Sequence, residues 1–220
     1  MRIFFIRHAQ TRDNVSGAIG TAVPGPELTE LGKRQAAAIP DALDSERIDA
    51  IYVSTMLRTQ LTASPLARAR ALAPRMIDGI EEIAAGSLEA RTDPDAIRLY
   101  MGTIFSWWYD FDSRIPGGED GNEFYGRFDR AVGAIAAEHP DDATVVVVSH
   151  GAAIRTWVSW SSQNLDAEFS RVHQLDNTSI VVVEGSPSAG WQTTYWAGEP
   201  VGGAALGDPS AVDPTAEIAP

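Results

Sequence analysis

The chain has no cysteine among its 220 residues. That excludes disulfides, thiolate nucleophiles, iron–sulfur clusters and thiolate zinc sites. Basic residues are few: 17 Lys and Arg stand against 30 Asp and Glu, a formal net charge of −13. So acidic a chain is a poor non-specific ligand for nucleic acid or an anionic membrane. No apolar run approaches the length that spans a bilayer. The opening residues Met1–Ile6 lack the apolar core and small-residue cleavage site of a signal peptide. His-x-His and His-Glu-x-x-His spacings do not occur, nor does a Gly-x-Ser-x-Gly elbow. These absences predict a soluble, cytoplasmic protein with no metal and no cofactor. Its partner would be a small molecule rather than nucleic acid or membrane, and its state a monomer or a homodimer.

What is present is an alternation of strand and helix signals. Ile3–Ile6, Ala50–Val53, Val145–Val148 and Ile180–Val183 are apolar runs rich in β-branched residues, as in strands buried on both faces. Between them, Thr29 is placed to cap a helix over Glu30–Ile39, which Pro40 would end or kink. Thr55 would cap Met56–Ala63, and Asn122 would cap Glu123–Glu138, where Phe124, Phe128, Val132 and Ile135 form an apolar stripe. A further helix is expected over Ala152–Trp160. The pattern predicts an α/β fold: a three-layer α/β/α sandwich with a mostly parallel central sheet. A small helical cap insertion is expected at about 91–122. There Tyr100, Ile104, Trp107, Trp108 and Phe111 share one helical face, which either packs on the domain or also lines a pocket. Residues 198–220 are rich in Gly, Ala and Pro, with four carboxylates and no Lys or Arg. They are expected to be a disordered tail beyond a catalytic domain of residues 1–197.

In open α/β sheets, ligands bind beyond the carboxyl ends of the strands. Three of the runs end in Arg7-His8, in Ser54-Thr55 with Arg58 shortly after, and in Ser149-His150-Gly151. Two histidines and two arginines are thereby directed toward one crevice. Guanidinium forks match the oxygens of a phosphate. A neutral imidazole can attack phosphorus without a metal, and flanking arginines neutralise the equatorial oxygens. His139, before Pro140, is expected at a helix end, and His173 carries no assignment.

Several stretches resemble, in order, the motifs of the histidine phosphatase superfamily, also called phosphoglycerate mutase-like. They are Arg7-His8-Ala9-Gln10-Thr11, Asn14, Leu28 to Ala36, Ser54 through Arg58 to Ala63, Glu82 with Gly86-Ser87-Leu88-Glu89, Pro116-Gly117-Gly118-Glu119, Ser149-His150-Gly151 and Asn177 to Ile180. The resemblance covers about residues 1–185. It implies that His8 is the nucleophile, forming a phosphohistidine, and that Arg7, Arg58, Asn14 and His150 hold the phosphoryl group. Gln10, Thr11 and Gly151 would lie beside the phosphate. Glu82, four residues before Gly86, would be the general acid, with neighbouring Glu81 as the competing carboxylate. Ala9, Gln10 and Ala90 depart from the family's usual Gly, Glu and Gly, and none removes a catalytic group.

The function implied is a metal-independent phosphomonoesterase of the histidine acid phosphatase type, acting on a small phosphorylated metabolite. The pocket wall is expected to include parts of 93–123. A phosphoglycerate mutase-type phosphotransfer is the alternative. Mutases of the family carry a basic residue and a Tyr after the acid, where this chain has Ile83-Ala84-Ala85. A non-catalytic phospholigand-binding module would normally have lost His8 or Glu82.

Overall fold

Each apolar run becomes a strand of one six-stranded sheet in the computed structural model, which describes residues 1–211, 213 and 214. The strands are β1 (Arg2–Arg7), β2 (Ala50–Val53), β3 (Arg75–Met76), β4 (Thr144–Ser149), β5 (Ile180–Ser186) and β6 (Gly190–Trp196), in the order β3-β2-β4-β1-β5-β6. The pairs β1/β4, β4/β2 and β2/β3 are parallel, while β5 and β6 close one edge antiparallel. The register aligns Ile6 with Val148 and Val148 with Val53. The residues that follow these three strands therefore emerge side by side.

Side chains alternate across a strand with period two. Phe5, Tyr52, Val147 and Val181 face one core, shared with Tyr100, Phe128 and Trp157. Their neighbours Ile6, Val53, Val148 and Val182 face a second core, shared with Ile39, Ala63 and Leu66. The short α1 (Arg12–Ser16) follows β1; helices α4 (Pro94–Ser106), α5 (Gly121–Ala137) and α6 (Gly151–Ser161) supply the first layer, and α2 (Glu30–Ala42) and α3 (Leu57–Arg70) the second. With both faces covered, a strand need not alternate in polarity, which is why the runs read as continuously apolar. Phe5 and Phe128 both pack on Trp157 with ring centroids 5.5 Å away. Truncating such a ring costs ~3–5 kcal/mol, a large share of a domain's ~5–15 kcal/mol margin.

Several helix boundaries differ from the sequence expectation. Thr29 does cap α2, its hydroxyl accepting from Gly32 N at 3.0 Å, but the helix runs through Pro40 to Ala42. Pro40 has no N–H to give to the carbonyl one turn before it, so the helix completes its last turn with one bond fewer. Thr55 caps nothing; its hydroxyl donates to Glu81, and α3 continues to Arg70. Helix α5 is capped by Asp120, not Asn122: the Asp120 carboxylate accepts from Glu123 N at 2.9 Å, and Glu123 reaches back to Asp120 N at 3.4 Å. Asp followed three residues later by Glu was the stronger signal. Strand β6 and the short helix α7 (Ala167–Val172) were not expected.

In the 91–122 stretch, Tyr100, Ile104 and Trp107 are buried in the first core, and Trp108 and Phe111 pack their rings on Trp160 at 5.8 and 4.6 Å. The tail also differs from expectation. Residues 198–211, 213 and 214 lie on the domain. Val201 is buried in the second core, Ser179 donates to the carbonyls of Gly198 and Glu199, and Gln35 Nε2 donates to Leu206 O at 2.8 Å. Backbone carbonyls and carboxylates anchor this segment, so its shortage of large apolar residues was a misleading guide. The disorder expected of 212 and 215–220 lies outside the described residues. No helix among the described residues is long and apolar enough to cross a membrane.

Candidate active site

The backbone beyond β1 is held on both sides. His8 N donates to Ser149 O at 2.9 Å, Ala9 N to Thr62 Oγ1 at 2.9 Å, and Asn177 Nδ2 to His8 O at 3.0 Å. The His8 ring turns Nδ1 to its neighbour's carbonyl, Ala9 O, at 2.9 Å. That nitrogen carries the proton, which leaves the lone pair on Nε2. Burial, then the charges of Arg58 and Arg7, hold the His8 pKa well below 6.5. The imidazole is therefore neutral and nucleophilic at ordinary pH.

His150 lies beside it, ring centroids 5.2 Å apart. Arg58 Nε donates to His150 Nδ1 at 3.2 Å, and His150 Nε2 meets Ser54 Oγ at 2.9 Å. With Nδ1 accepting, Nε2 carries the proton and donates to Ser54. Burial and then Arg58 push this pKa well below 6.5 too. Both ring nitrogens thus face protein groups. His150 thereby stands directly beside Arg58, its Nδ1 accepting the Arg58 Nε–H. Arg58 also donates Nη2 to Gly20 O at 3.0 Å.

Glu82 is buried. Its Oε1 accepts from Ile83 N and Ala153 N, each at 2.9 Å, and Oε2 accepts from Ala152 N at 3.2 Å. The carboxyl thus sits on the first turn of α6. The helix dipole and these N–H groups favour its charged form, whereas burial favours the neutral acid. Burial wins, and the pKa rises above 4.5. Glu81 faces elsewhere, accepting from Thr55 Oγ1 at 2.9 Å and Gly79 N at 2.7 Å. Glu119 is paired with Arg127.

His8, Thr11, Asn14, Arg58 and Glu82 line one cavity with Asp13, Gly20, Thr21 and Asp213. Its volume is about 20 Å³, room for roughly one water. The pocket wall expected from 93–123 is absent: no residue of that stretch lines this cavity. Its aromatics were drawn into the core and onto Trp160. Gln10 also faces away, donating to Asp208 Oδ2 at 2.9 Å and accepting from Thr29 Oγ1 at 2.7 Å. It borders a second cavity of about 510 Å³ under the tail, which Arg7 also lines. Gly151 opens α6 and lines neither cavity. Among the described residues, no group of three or more His, Asp or Glu is placed to hold a metal ion.

Two residues escaped the sequence reading. Asp213 reaches into the cavity, where Arg7 Nη2 and Asn14 Nδ2 both donate to its Oδ2, the latter at 2.8 Å. No local signal announces it. Arg127 grips the loop that carries Glu82; its only trace in the sequence is a charge on the polar side of the stripe of α5.

A family model for the histidine phosphatase superfamily (branch 1) matches residues 3–197. The chain is 37% identical over 223 residues to PE-PGRS family protein PE_PGRS11 of Mycobacterium tuberculosis, covering 93% of the chain but only 38% of that longer protein. It is 27% identical to phosphoserine phosphatase 1 of Hydrogenobacter thermophilus, over 83% of the chain and 90% of that protein. It is 29% identical to "Probable phosphoglycerate mutase GpmB" of Salmonella choleraesuis, over 97% and 98%. A solved mycobacterial glucosyl-3-phosphoglycerate phosphatase with VO3 superposes with a TM-score of 0.76 at 26% identity, covering 89% of this chain and 98% of that one.

Proposed function

Because the chain belongs to the histidine phosphatase superfamily, we propose that it is a metal-independent phosphomonoesterase working through a phosphohistidine on His8. One observation carries this reading: a neutral imidazole with Nε2 available and a buried carboxyl with a raised pKa share one cavity with Arg58 and Asn14. His8 Nε2 attacks phosphorus and the ester P–O bond breaks. Glu82 gives its proton to the departing oxygen. Arg7, Arg58 and Asn14 hold the three phosphoryl oxygens, and Thr11 offers a hydroxyl beside them. Water then attacks the phosphohistidine, Glu82 takes the water's proton, and the N–P bond breaks. Neutral His8 and inorganic phosphate remain.

The two pKa shifts make this pairing workable. An acid at 4.5 and an imidazole at 6.5 would both be in the required form in at most about 1% of molecules, at the pH midway between them. Burial raises the acid and lowers the imidazole, so both shifts increase that fraction. The charge on Arg7 and Arg58 serves where a divalent ion serves in other phosphotransferases.

Hydrolysis is supported by the apolar Ile83-Ala84-Ala85, which offers neither cation nor phenol to a substrate carboxylate. Phosphatase names among the relatives support it too. The likeness to GpmB favours a second reading, a mutase that returns the phosphoryl group to another oxygen of the same substrate. A screen of small phosphorylated metabolites in the presence of a chelator, run beside a phosphoglycerate interconversion assay, separates these. Phosphate release that survives the chelator, without interconversion, is expected. Activity that is lost to the chelator and restored by a divalent ion would refute metal independence. Interconversion faster than release would establish the mutase.

A further inference from the structure

We propose that Arg127, with its partner Glu119, is a positioning residue for Glu82. The inference rests on the general-acid reading above and assigns what holds that acid in place. A guanidinium has five N–H donors in a fixed fork, and Arg127 uses all five. Nη1 donates to Gly79 O at 2.8 Å and Glu81 O at 3.0 Å, and Nη2 to Glu82 O at 3.0 Å. Nε and Nη2 donate to the two oxygens of Glu119 at 2.6 and 2.8 Å. Glu119 in turn accepts from Ala84 N at 2.8 Å.

The next residues of the loop are gripped as well. Tyr100 Oη donates to Ile83 O at 2.7 Å, and Ala85 N donates to Thr21 Oγ1 at 3.0 Å. The Pro-Gly-Gly-Glu stretch also finds its purpose here. A Cβ on Gly118 would lie 2.1 Å from Ala84 O, so only glycine lets Glu119 approach this closely. The backbone from Gly79 to Ala85 is therefore held on both sides of Glu82 by side chains from α4, α5 and the turn before α5. Arg127 lines no wall of the His8 cavity, so its contacts reach the reaction through the Glu82 loop, while its charge also helps hold the His150 pKa down.

Lysine cannot replace this fan of contacts, because its three donors radiate from one point. Arg127→Lys should let the Glu82 loop shift, and a 1 Å misplacement can cost ~10²-fold in rate. The test measures burst-phase phosphorylation by an alkyl phosphate, whose alkoxide needs a proton, and by p-nitrophenyl phosphate, whose leaving group does not. Arg127→Lys and Glu119→Gln should each slow the alkyl substrate by about tenfold or more, leave the aryl substrate within about threefold, and displace the high-pH limb of the rate profile. Burst amplitude counts competent sites, so partial misfolding does not mimic the result. Equal slowing of both substrates per competent site, or no slowing of either, overturns the proposal. Glu82→Gln is run alongside. If it separates the substrates while the Arg127 and Glu119 variants do not, only this inference fails. If it does not separate them, the acid reading fails and takes this inference with it.

A different observation carries a second inference: the geometry points to Asp213 as an internal competitor for the phosphoryl site. Its carboxylate accepts from Arg7 and Asn14, two of the groups assigned to phosphate, and it is buried. The remaining cavity of about 20 Å³ has room for a water but not for a phosphate. A phosphate dianion and this carboxylate cannot share the same donors, since like charges this close repel strongly in a buried site. Substrate therefore binds only when Asp213 has withdrawn, and the apparent affinity is lowered by the fraction of molecules in which it has not. Inorganic phosphate is the probe, with its dissociation constant measured calorimetrically on the full chain. Asp213→Ala and Asp213→Asn should each tighten it by about tenfold or more. A constant unchanged within about twofold, or a weaker one, overturns the inference. If neither wild type nor variants bind phosphate or vanadate at millimolar concentration, the phosphoryl-site reading itself falls.

Discussion

His8→Ala is expected to abolish turnover while the protein stays folded. The reading gives His8 the covalent step, and removing a covalent nucleophile elsewhere has cost about 10⁶-fold in kcat. The His8 ring, though buried, faces the polar cavity rather than either apolar core. Its loss removes one hydrogen bond to a neighbouring carbonyl, worth ~0.5–1.5 kcal/mol. At ~2–4 °C per kcal/mol for a chain of this size, the melting temperature should fall by only a few degrees. Quenching wild type in alkaline detergent with labelled substrate should trap a phosphoenzyme that is stable in alkali and lost in acid, and the variant should trap none. A variant keeping a tenth of wild-type activity would exclude His8 as nucleophile.

Glu82→Gln should slow phosphorylation by alkyl phosphates far more than by aryl phosphates. Glutamine keeps the size, and its one carbonyl oxygen can still accept from Ile83 and Ala153, but the NH2 it sets against Ala152 N accepts nothing and has no acidic proton to give. General acid catalysis is worth ~10²–10⁴-fold, so the gap between substrates should reach that order where chemistry limits. The pH dependence follows from the directions of the two shifts. Glu82 must be protonated, so kcat/KM falls as pH rises through its raised pKa. His8 must be neutral, so the rate falls as pH drops through a pKa held well below 6.5. Glu82→Gln should erase the high-pH limb and keep the low-pH one. Equal slowing of both substrates would remove Glu82 as donor. Neither Glu81 nor Glu119 could then replace it without rearranging the loop, since Thr55, Gly79 and Arg127 hold both away from the cavity.

Much of this site was legible because its signals are local. An apolar run that ends abruptly in Arg7-His8 or Ser149-His150 already states that a buried strand delivers polar groups at its carboxyl end. The family resemblance, which places the acid four residues before Gly86, points to Glu82 over Glu81, and the structure turns Glu82, not Glu81, to the cavity. What the sequence leaves open has one physical cause: a side chain's place depends on partners that are distant along the chain. The aromatics of 93–123 could pack inward or line a pocket, and only the position of Trp160 and the first core decided it. The tail has few large apolar residues to order it, yet Gln35, Ser179 and Gln10 bind its polar groups.

The sequence by itself determined the layered α/β architecture, since strand and helix periods and buried β-branched runs are properties of contiguous residues. It also determined which groups stand at the strand ends. Tertiary structure decided what those groups touch. His150 spends both nitrogens on Ser54 and Arg58, 96 and 92 residues away. Arg127 spends three of its five donors on a loop 45 to 48 residues before it. Asp213 meets Arg7 across 206 residues. A hydrogen bond is set by distance and direction between two atoms, and neither is defined until the strands have registered and the helices have packed.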